Sequence, residues 1–177
     1  MQTARLKKGY VHCYTGSGKG KTTAALGLAL RAAGAGLKVY IAQFAKGIAT
    51  SELKSLKKLS RRITVRQFGT RTFIKGRPAN IDRTLAGRAL AAVKKAVRGG
   101  DYDVVILDEV CVACRYKLVP VGKVLDLVKK RPKHVEVVLT GRYAPKEFVK
   151  MADIVTEMKE VKHYFIRGVI ARRGIEC

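Results

Sequence analysis

The chain has 177 residues, the size of one domain, and its 47% hydrophobic and 28% charged composition excludes a disordered tail or a collagen-like repeat. Against 13 Asp and Glu stand 37 Lys and Arg, a net charge of +24 that suits a polyanion: nucleic acid, a polyphosphate or a polycarboxylate. The basic residues run from Arg5 to Arg173 without forming an arm, and there is no Trp to stack bases, so nucleic acid is not the expected partner.

The most apolar stretch, Thr22 to Leu37, is interrupted by Arg31, and the basic segment Met1 to Lys8 lacks an apolar signal core. A cytoplasmic protein with no membrane contact is therefore expected, as one domain over residues 1–177 with residues 1–8 as a basic N-terminal segment.

In chain order, short β-branched runs alternate with helical periodicity. Strands are expected at Gly9 to Thr15, Leu37 to Phe44, Ile63 to Phe68, Asp103 to Leu107, His134 to Thr140 and Asp153 to Thr156, with a last extended stretch at Tyr164 to Ile170. Most are apolar on both faces, as parallel strands covered by helices require. Helices are expected at Thr22 to Ala33, Ser51 to Leu59, Ile81 to Val97 and Val121 to Lys130. In the third, Ile81, Leu85, Ala89, Ala92, Val93 and Ala96 share a face, Asn80 is the expected N-cap and Gly99-Gly100 the stop. In the fourth, Val124, Leu125 and Val128 are expected to point inward. Gly69 to Pro78, basic and glycine-containing, fits no element, and long loops inside domains are often functional. The order is that of an α/β fold: a single three-layer, P-loop NTPase-like (RecA-like) domain with a mainly parallel sheet.

Four cysteines, Cys13, Cys111, Cys114 and Cys177, are too scattered for a disulfide framework. Cys111 and Cys114 form a C-x-x-C that follows a strand without opening a helix, and His12, His134 and His163 stand apart, so buried thiols are expected over a metal or redox site.

The sharpest signal lies between the first strand and first helix: Thr15-Gly16-Ser17-Gly18-Lys19-Gly20-Lys21-Thr22-Thr23. This is a P-loop, with Thr15 where the first glycine of G-x-x-x-x-G-K-[ST] belongs. Glycines let backbone N–H groups converge on phosphate oxygens at a helix N-terminus, Lys21 reaches those phosphates, and the Thr22 hydroxyl is a ligand for Mg²⁺. Lys19 adds charge for a triphosphate held along its length, a solvated loop lysine being the alternative. Asp108 and Glu109 follow Val104-Val105-Ile106-Leu107 in the place of a Walker B acid. Arg142, after the next strand, is placed to approach the phosphates, a surface turn being the alternative. Alone, these residues indicate a Mg·ATP-binding α/β protein and fit γ-phosphoryl transfer equally well.

The wider wording of the sequence resembles the P-loop ATP:corrinoid adenosyltransferases. The resemblance rests on Tyr14 to Ala25, in which Thr15 is the family's habit, on Arg31-Ala32 and Gly34, and on Gln43-Phe44-Ala45-Lys46-Gly47. It continues through Leu107-Asp108-Glu109, Arg131-Pro132, Thr140-Gly141-Arg142, Ala144-Pro145, Ala152 to Met158, Val161-Lys162-His163 and Gly174-Ile175-Glu176.

The resemblance implies that a Co(I) corrinoid attacks C5′ of ATP and expels triphosphate, in adenosylcobalamin biosynthesis or salvage, with the nucleotide reversed relative to ordinary P-loop enzymes. It assigns Thr15, Gly16, Ser17, Gly18, Lys19, Gly20, Lys21, Thr22, Thr23 and Gln43 to ATP, with Arg31 open between a place near the nucleoside and an exposed helix arginine. Lys19, Lys21 and Arg142 would meet charge on the departing triphosphate. Thr22 with Glu109 or Asp108 would hold Mg²⁺ (or Mn²⁺), Glu109 being favoured, and Lys46, Phe73 and Ile74 would face the corrinoid. His163 and Glu176 are open between structural and functional roles. A homodimer is also implied, with an electron donor, a reductase or flavin, for Co(II). Better-known relatives carry a Phe and Trp pair in the unassigned loop. Here the local words are Gly69 to Ile74 with no Trp, and Phe73 and Ile74 would form a smaller wedge. The alternative is a P-loop ATPase acting on nucleic acid.

Overall fold

The computed structural model describes residues 5–72, 74 and 76–176. Six strands form one sheet: β1 (Val11–Thr15), β2 (Val39–Phe44), β3 (Ile63–Phe68), β4 (Val104–Asp108), β5 (Glu136–Thr140) and β6 (Ile154–Glu157). Their order is β3-β2-β4-β5-β1-β6, and every pairing is parallel. The crossovers carry α1 (Lys21–Gly34), α2 (Ser51–Lys58), α3 (Asn80–Arg98), α4 (Val110–Arg115), α5 (Val121–Lys129) and α6 (Lys146–Met151). Among the described residues no helix is long and apolar enough to cross a membrane.

Strand alternation divides the core into two layers. Val39 and Ile41 of β2, with Val104 and Ile106 of β4, pack against Ala25, Ala29 and Ala32 of α1 and Leu56 of α2. Tyr40, Ala42, Phe44, Val105 and Leu107 face the opposite layer, where Ala86, Ala89 and Val93 of α3, Val124 and Val128 of α5 and Phe148 of α6 complete the core. The alanine stripe of α1 lets that helix lie close to the sheet, just behind the glycine-rich loop.

Several expectations are corrected. Tyr164–Arg167 is a 3-10 turn and not a strand: His163 Nδ1 accepts the Phe165 N–H at 3.1 Å, and Gly168, at φ 81°, ends the turn in the left-handed region. α3 is capped at Ala79 and not Asn80, because the Asp82 carboxylate accepts the Ala79 N–H at 2.9 Å. Ile81 is 51% exposed, since the first turn of α3 projects past the sheet, and in α5 it is Leu127 that is buried while Leu125 is half-buried. α4 and α6, each only 6 residues long, were not expected. The C-x-x-C therefore lies on a helix, where Cys111 and Cys114 are buried, as is Cys13 on β1. At the outer edge, β6 is exposed throughout. The Gly99 cap and the left-handed Gly100 do end α3 where the sequence placed its stop.

Two glycines after β2 and β3 fix the loop beside the sheet's carboxyl edge. A Cβ on Gly47 would stand 2.2 Å from the Gly69 carbonyl oxygen, and one on Gly69 would stand 2.3 Å from the Lys46 nitrogen. Gly69→Ala should therefore cost about 1–3 kcal/mol through forced backbone displacement. Gly27→Ala, in α1 with open space around it, should add about 0.5–1 kcal/mol by restricting the unfolded chain. Urea unfolding of the two variants checks both signs.

Candidate nucleotide and corrinoid site

The carboxyl ends of β1, β2, β4 and β5 converge, which is where open parallel sheets place ligands. Three non-glycine residues follow these strands in left-handed conformations: Ala45 (φ 50°) after β2, Glu109 (φ 60°) after β4 and Tyr143 (φ 60°) beyond β5. Such conformations are costly and gather where a backbone must be aimed.

The glycine-rich loop leaves β1 at Thr15. Gly16 (φ 101°) and Gly18 pass so close to Met158 and Lys159 that a Cβ would meet their backbones within 3 Å, and Gly18 N–H donates to the Met158 carbonyl at 2.6 Å. The chain leaving β6 thus props the loop from outside. Gly20 (φ 116°) turns the chain into α1, with Lys21 and Thr22 in the first turn. The Lys21 ammonium folds back on the loop, donating to the carbonyls of Gly18 at 2.6 Å and Gly16 at 2.8 Å. Burial lowers its pKa, offset in part by Glu109 and reinforced by Arg142.

Asp108, at the end of β4, is almost fully buried and accepts from four side chains. Thr140 Oγ1 donates to Oδ1 at 2.7 Å and Thr22 Oγ1 to the same oxygen at 2.9 Å. Lys46 Nζ donates to Oδ2 at 2.8 Å and Gln43 Nε2 to the same oxygen at 3.1 Å. Gln43, itself buried, is oriented by Gln67 Nε2, which donates to its Oε1 at 3.0 Å. Lys46 Nζ also lies 3.0 Å from Thr22 Oγ1. Desolvation by itself would lower the Lys46 pKa, but Asp108 and Glu109 outweigh it and hold the ammonium above its ordinary value. Glu109 anchors its N–H on Thr140 Oγ1 at 3.0 Å. Its carboxyl is pushed up by burial and by Asp108, against the pull of Lys46, Lys21 and Arg142.

The expected residues are thus only partly brought together. Thr22, Gln43, Lys46, Asp108 and Glu109 form one cluster, with Lys46 on the Asp108 carboxylate. Thr15, Gly16, Ser17 and the exposed Arg142 line an adjacent cleft of about 300 Å³ with Tyr143 and Glu157. Lys19 lies against neither cluster nor cleft: its Nζ donates to Glu176 Oε1 at 2.9 Å and to the Ile175 carbonyl at 3.2 Å. Glu176 is held well below the usual carboxylate range by Arg172, the Tyr164 hydroxyl and Lys19. Arg31 is exposed near the end of α1, close enough to the Tyr14 phenol to act on it electrostatically. Thr23 is exposed on the first turn of α1. Ile74 packs against the core and lines a second cavity of about 520 Å³ with Thr70, Arg71, Thr72, Arg77 and Asp82. Phe73 lies outside the described residues. Sequence reading missed Thr140 and Gln67. Their only signal is position, a polar side chain at the carboxyl end of a strand neighbouring the one that carries Asp108 or Gln43.

Residues 7–177 match the family described as ATP:corrinoid adenosyltransferase BtuR/CobO/CobP. The chain belongs to that family. It is similar to the corrinoid adenosyltransferase of a Sinorhizobium species, at 34% identity over 99% of this chain and 84% of that protein. It is 33% identical to the corrinoid adenosyltransferase of Pseudomonas aeruginosa, over 98% of this chain and 86% of the relative. Corrinoid adenosyltransferase CobA of Salmonella typhimurium is 34% identical over 98% of this chain and 88% of its own length. The matches span the glycine-rich loop, the Asp108 cluster and the C-terminal segment of this adenosyltransferase alike.

Two outcomes follow from this electrostatic arrangement. Asp108→Asn replaces an oxygen that accepts from two donors by an NH₂ group, and should cost about 1–3 kcal/mol in urea unfolding. Glu109→Gln acts oppositely. Because the folded-state pKa of Glu109 is raised, its ionisation destabilises the fold as pH rises from the ordinary Glu value through the folded one. In metal-free, nucleotide-free protein, Glu109→Gln should therefore raise Tm at pH 7. The gain should vanish below about pH 4, where the carboxyl is protonated folded and unfolded alike. Scanning fluorimetry at both pH values reads the difference.

Proposed function

We propose that this adenosyltransferase holds ATP with its phosphates on the loop Gly16 to Thr23 and presents C5′ to a Co(I) corrinoid approaching from the β2 and β3 loops. ATP-dependent adenosylation of a corrinoid, in cobalamin biosynthesis or salvage, is the activity of its family. The observation that carries the assignment of residues is the cluster itself. An α1 hydroxyl, a buried strand-end carboxylate and the Lys46 ammonium meet at one point, with Lys21 on the adjoining glycine-rich loop and Arg142 at the neighbouring cleft.

The reaction needs no general base from the protein, because Co(I) is already the nucleophile. The protein's work is alignment, exclusion of water and neutralisation of charge on the leaving triphosphate. Lys21, leaving the Gly16 and Gly18 carbonyls, and Arg142 at the cleft are the groups for that neutralisation, with Lys19 at the loop's outer side. The donor set suits Mg²⁺ or Mn²⁺. The described residues hold no group of three or more His, Cys, Asp or Glu that could hold a metal, but magnesium is typically bound by one or two carboxylates plus substrate phosphates. Thr22 with Asp108 or Glu109 would hold it, and when bound it supplies charge neutralisation along the triphosphate.

The corrinoid is assigned to the side of Lys46 and Ile74, next to the cavity bearing Arg71 and Arg77. Those arginines suit the carboxylates of early corrinoids. The fold is read as a RecA-like P-loop domain over residues 1–177, acting in the cytoplasm as a homodimer. A reductase or flavin supplies the electron for Co(II), and nucleic acid is not a partner.

Anaerobic incubation with Mg·ATP and a chemically reduced Co(I) corrinoid should give light-sensitive alkylcobalt and triphosphate in equal amounts. Orthophosphate released only on addition of DNA or RNA would instead support an ATPase acting on nucleic acid. Corrinoid affinity should fall steeply with salt if the basic surface recruits carboxylates. Phe73→Ala should slow turnover from Co(II) while leaving turnover from chemically reduced Co(I) in place.

A further inference from the structure

The Lys46 ammonium stands between Thr22 Oγ1 at 3.0 Å and Asp108 Oδ2 at 2.8 Å, the hydroxyl and carboxylate assigned above to the divalent cation. It is a cation already coordinated by a metal's oxygens. We propose that Lys46 is a built-in counter-cation that holds the metal position in the nucleotide-free enzyme, and that arrival of Mg·ATP displaces its ammonium toward the reacting groups. The inference rests on the proposed assignment of Thr22 and Asp108 to the metal.

The surroundings are built for such an exchange. When Lys46 leaves, Asp108 keeps Thr140 and Gln43 as donors, and Gln43 stays oriented by Gln67. The carboxylate therefore retains its direction and loses only its positive partner, which an incoming divalent ion replaces. A buried carboxylate with no cation is costly, and the ammonium supplies that cation to Asp108. Thr22 Oγ1 donates to Asp108 Oδ1 and leaves its lone pairs open, so it can accept from Lys46 or ligate a metal without losing that bond. The backbone that carries Lys46 is anchored on both sides, by left-handed Ala45 and by the Gly47 and Gly69 contact. The side chain alone moves. Its flexible four-carbon stem carries a point charge that can be redirected without rebuilding the loop.

While Lys46 is paired with Asp108 its charge is neutralised there. Once displaced by the metal, it becomes an additional cation at the boundary between the triphosphate and the corrinoid, arriving only when the nucleotide is in place.

The test is Mn²⁺ binding followed by electron paramagnetic resonance, with and without ATP. Without ATP the wild-type enzyme should bind Mn²⁺ weakly. Lys46→Met should tighten that binding at least about tenfold, equivalent to about 1.4 kcal/mol, and lower the Mn²⁺ concentration needed for ATP binding. Lys46→Arg should behave as wild type, because the charge is retained. Unchanged or weaker Mn²⁺ binding in Lys46→Met would overturn the proposal.

A second measurement needs no uncharged variant. In the wild-type enzyme labelled with ¹⁵N-lysine, the ammonium signal assigned to Lys46, absent from Lys46→Arg, should shift when Mg²⁺ is added to the ATP complex. An unmoved signal would overturn the exchange even if Lys46→Met failed to fold. Adenosyl transfer is assayed on the same preparations. Lys46-sensitive metal binding without alkylcobalt formation would support the exchange while removing the adenosyl-transfer reading of the site.

Discussion

A carboxylate at the bottom of a sheet edge organises this protein. Asp108 is almost wholly out of water, and burying an ionised carboxylate is tolerable only when hydrogen-bond donors and a cation surround it. Its donors come from separate parts of the chain: Thr22 from α1, Gln43 from β2, Lys46 from the following loop and Thr140 from β5. Satisfying one buried charge therefore ties the first helix and three strands to a common point. The α1 N-terminus and the loop after β2 are held in register by it.

Around that point the structure distributes positive charge unevenly. Lys21 is turned inward onto its own loop, Lys46 onto Asp108 and Lys19 onto Glu176. Each of these three lysines thus has a protein oxygen as partner. This limits repulsion among the cations, a real cost in a chain of net charge +24. The C-terminal segment takes part through Glu176, gathered by Arg172 and Tyr164 and set against Lys19.

The loop itself is shaped from outside. Glycines at positions 16 and 18 let Met158 and Lys159 come within contact of the loop backbone, so β6 and the chain after it act as a buttress. Gly47 and Gly69 do the same between the loops after β2 and β3. Rigid supports on both flanks leave side-chain rotation as the available adjustment, which is the kind of motion a lysine can make at small cost.

Much of this is legible in the amino-acid sequence. Alternating apolar runs gave the strands, because a sheet covered on both faces needs Val, Ile and Leu in consecutive positions. Glycines followed by Lys21-Thr22 located the phosphate loop, since that chemistry depends on local backbone geometry. Strand order, the short α4 and α6, and the exposure of β6 were not legible, because six-residue helices carry too little periodicity and edge position depends on the other strands. The turn at Tyr164 was hidden by β-prone residues whose conformation is decided by His163 and Gly168. Above all, the partners of Asp108, Lys19 and Lys46 lie dozens of residues away or more. Local sequence determined which side chains could bind phosphate and metal. Only tertiary structure decided which oxygens those cations already hold, because a buried charge takes whatever partner the folded chain brings within reach.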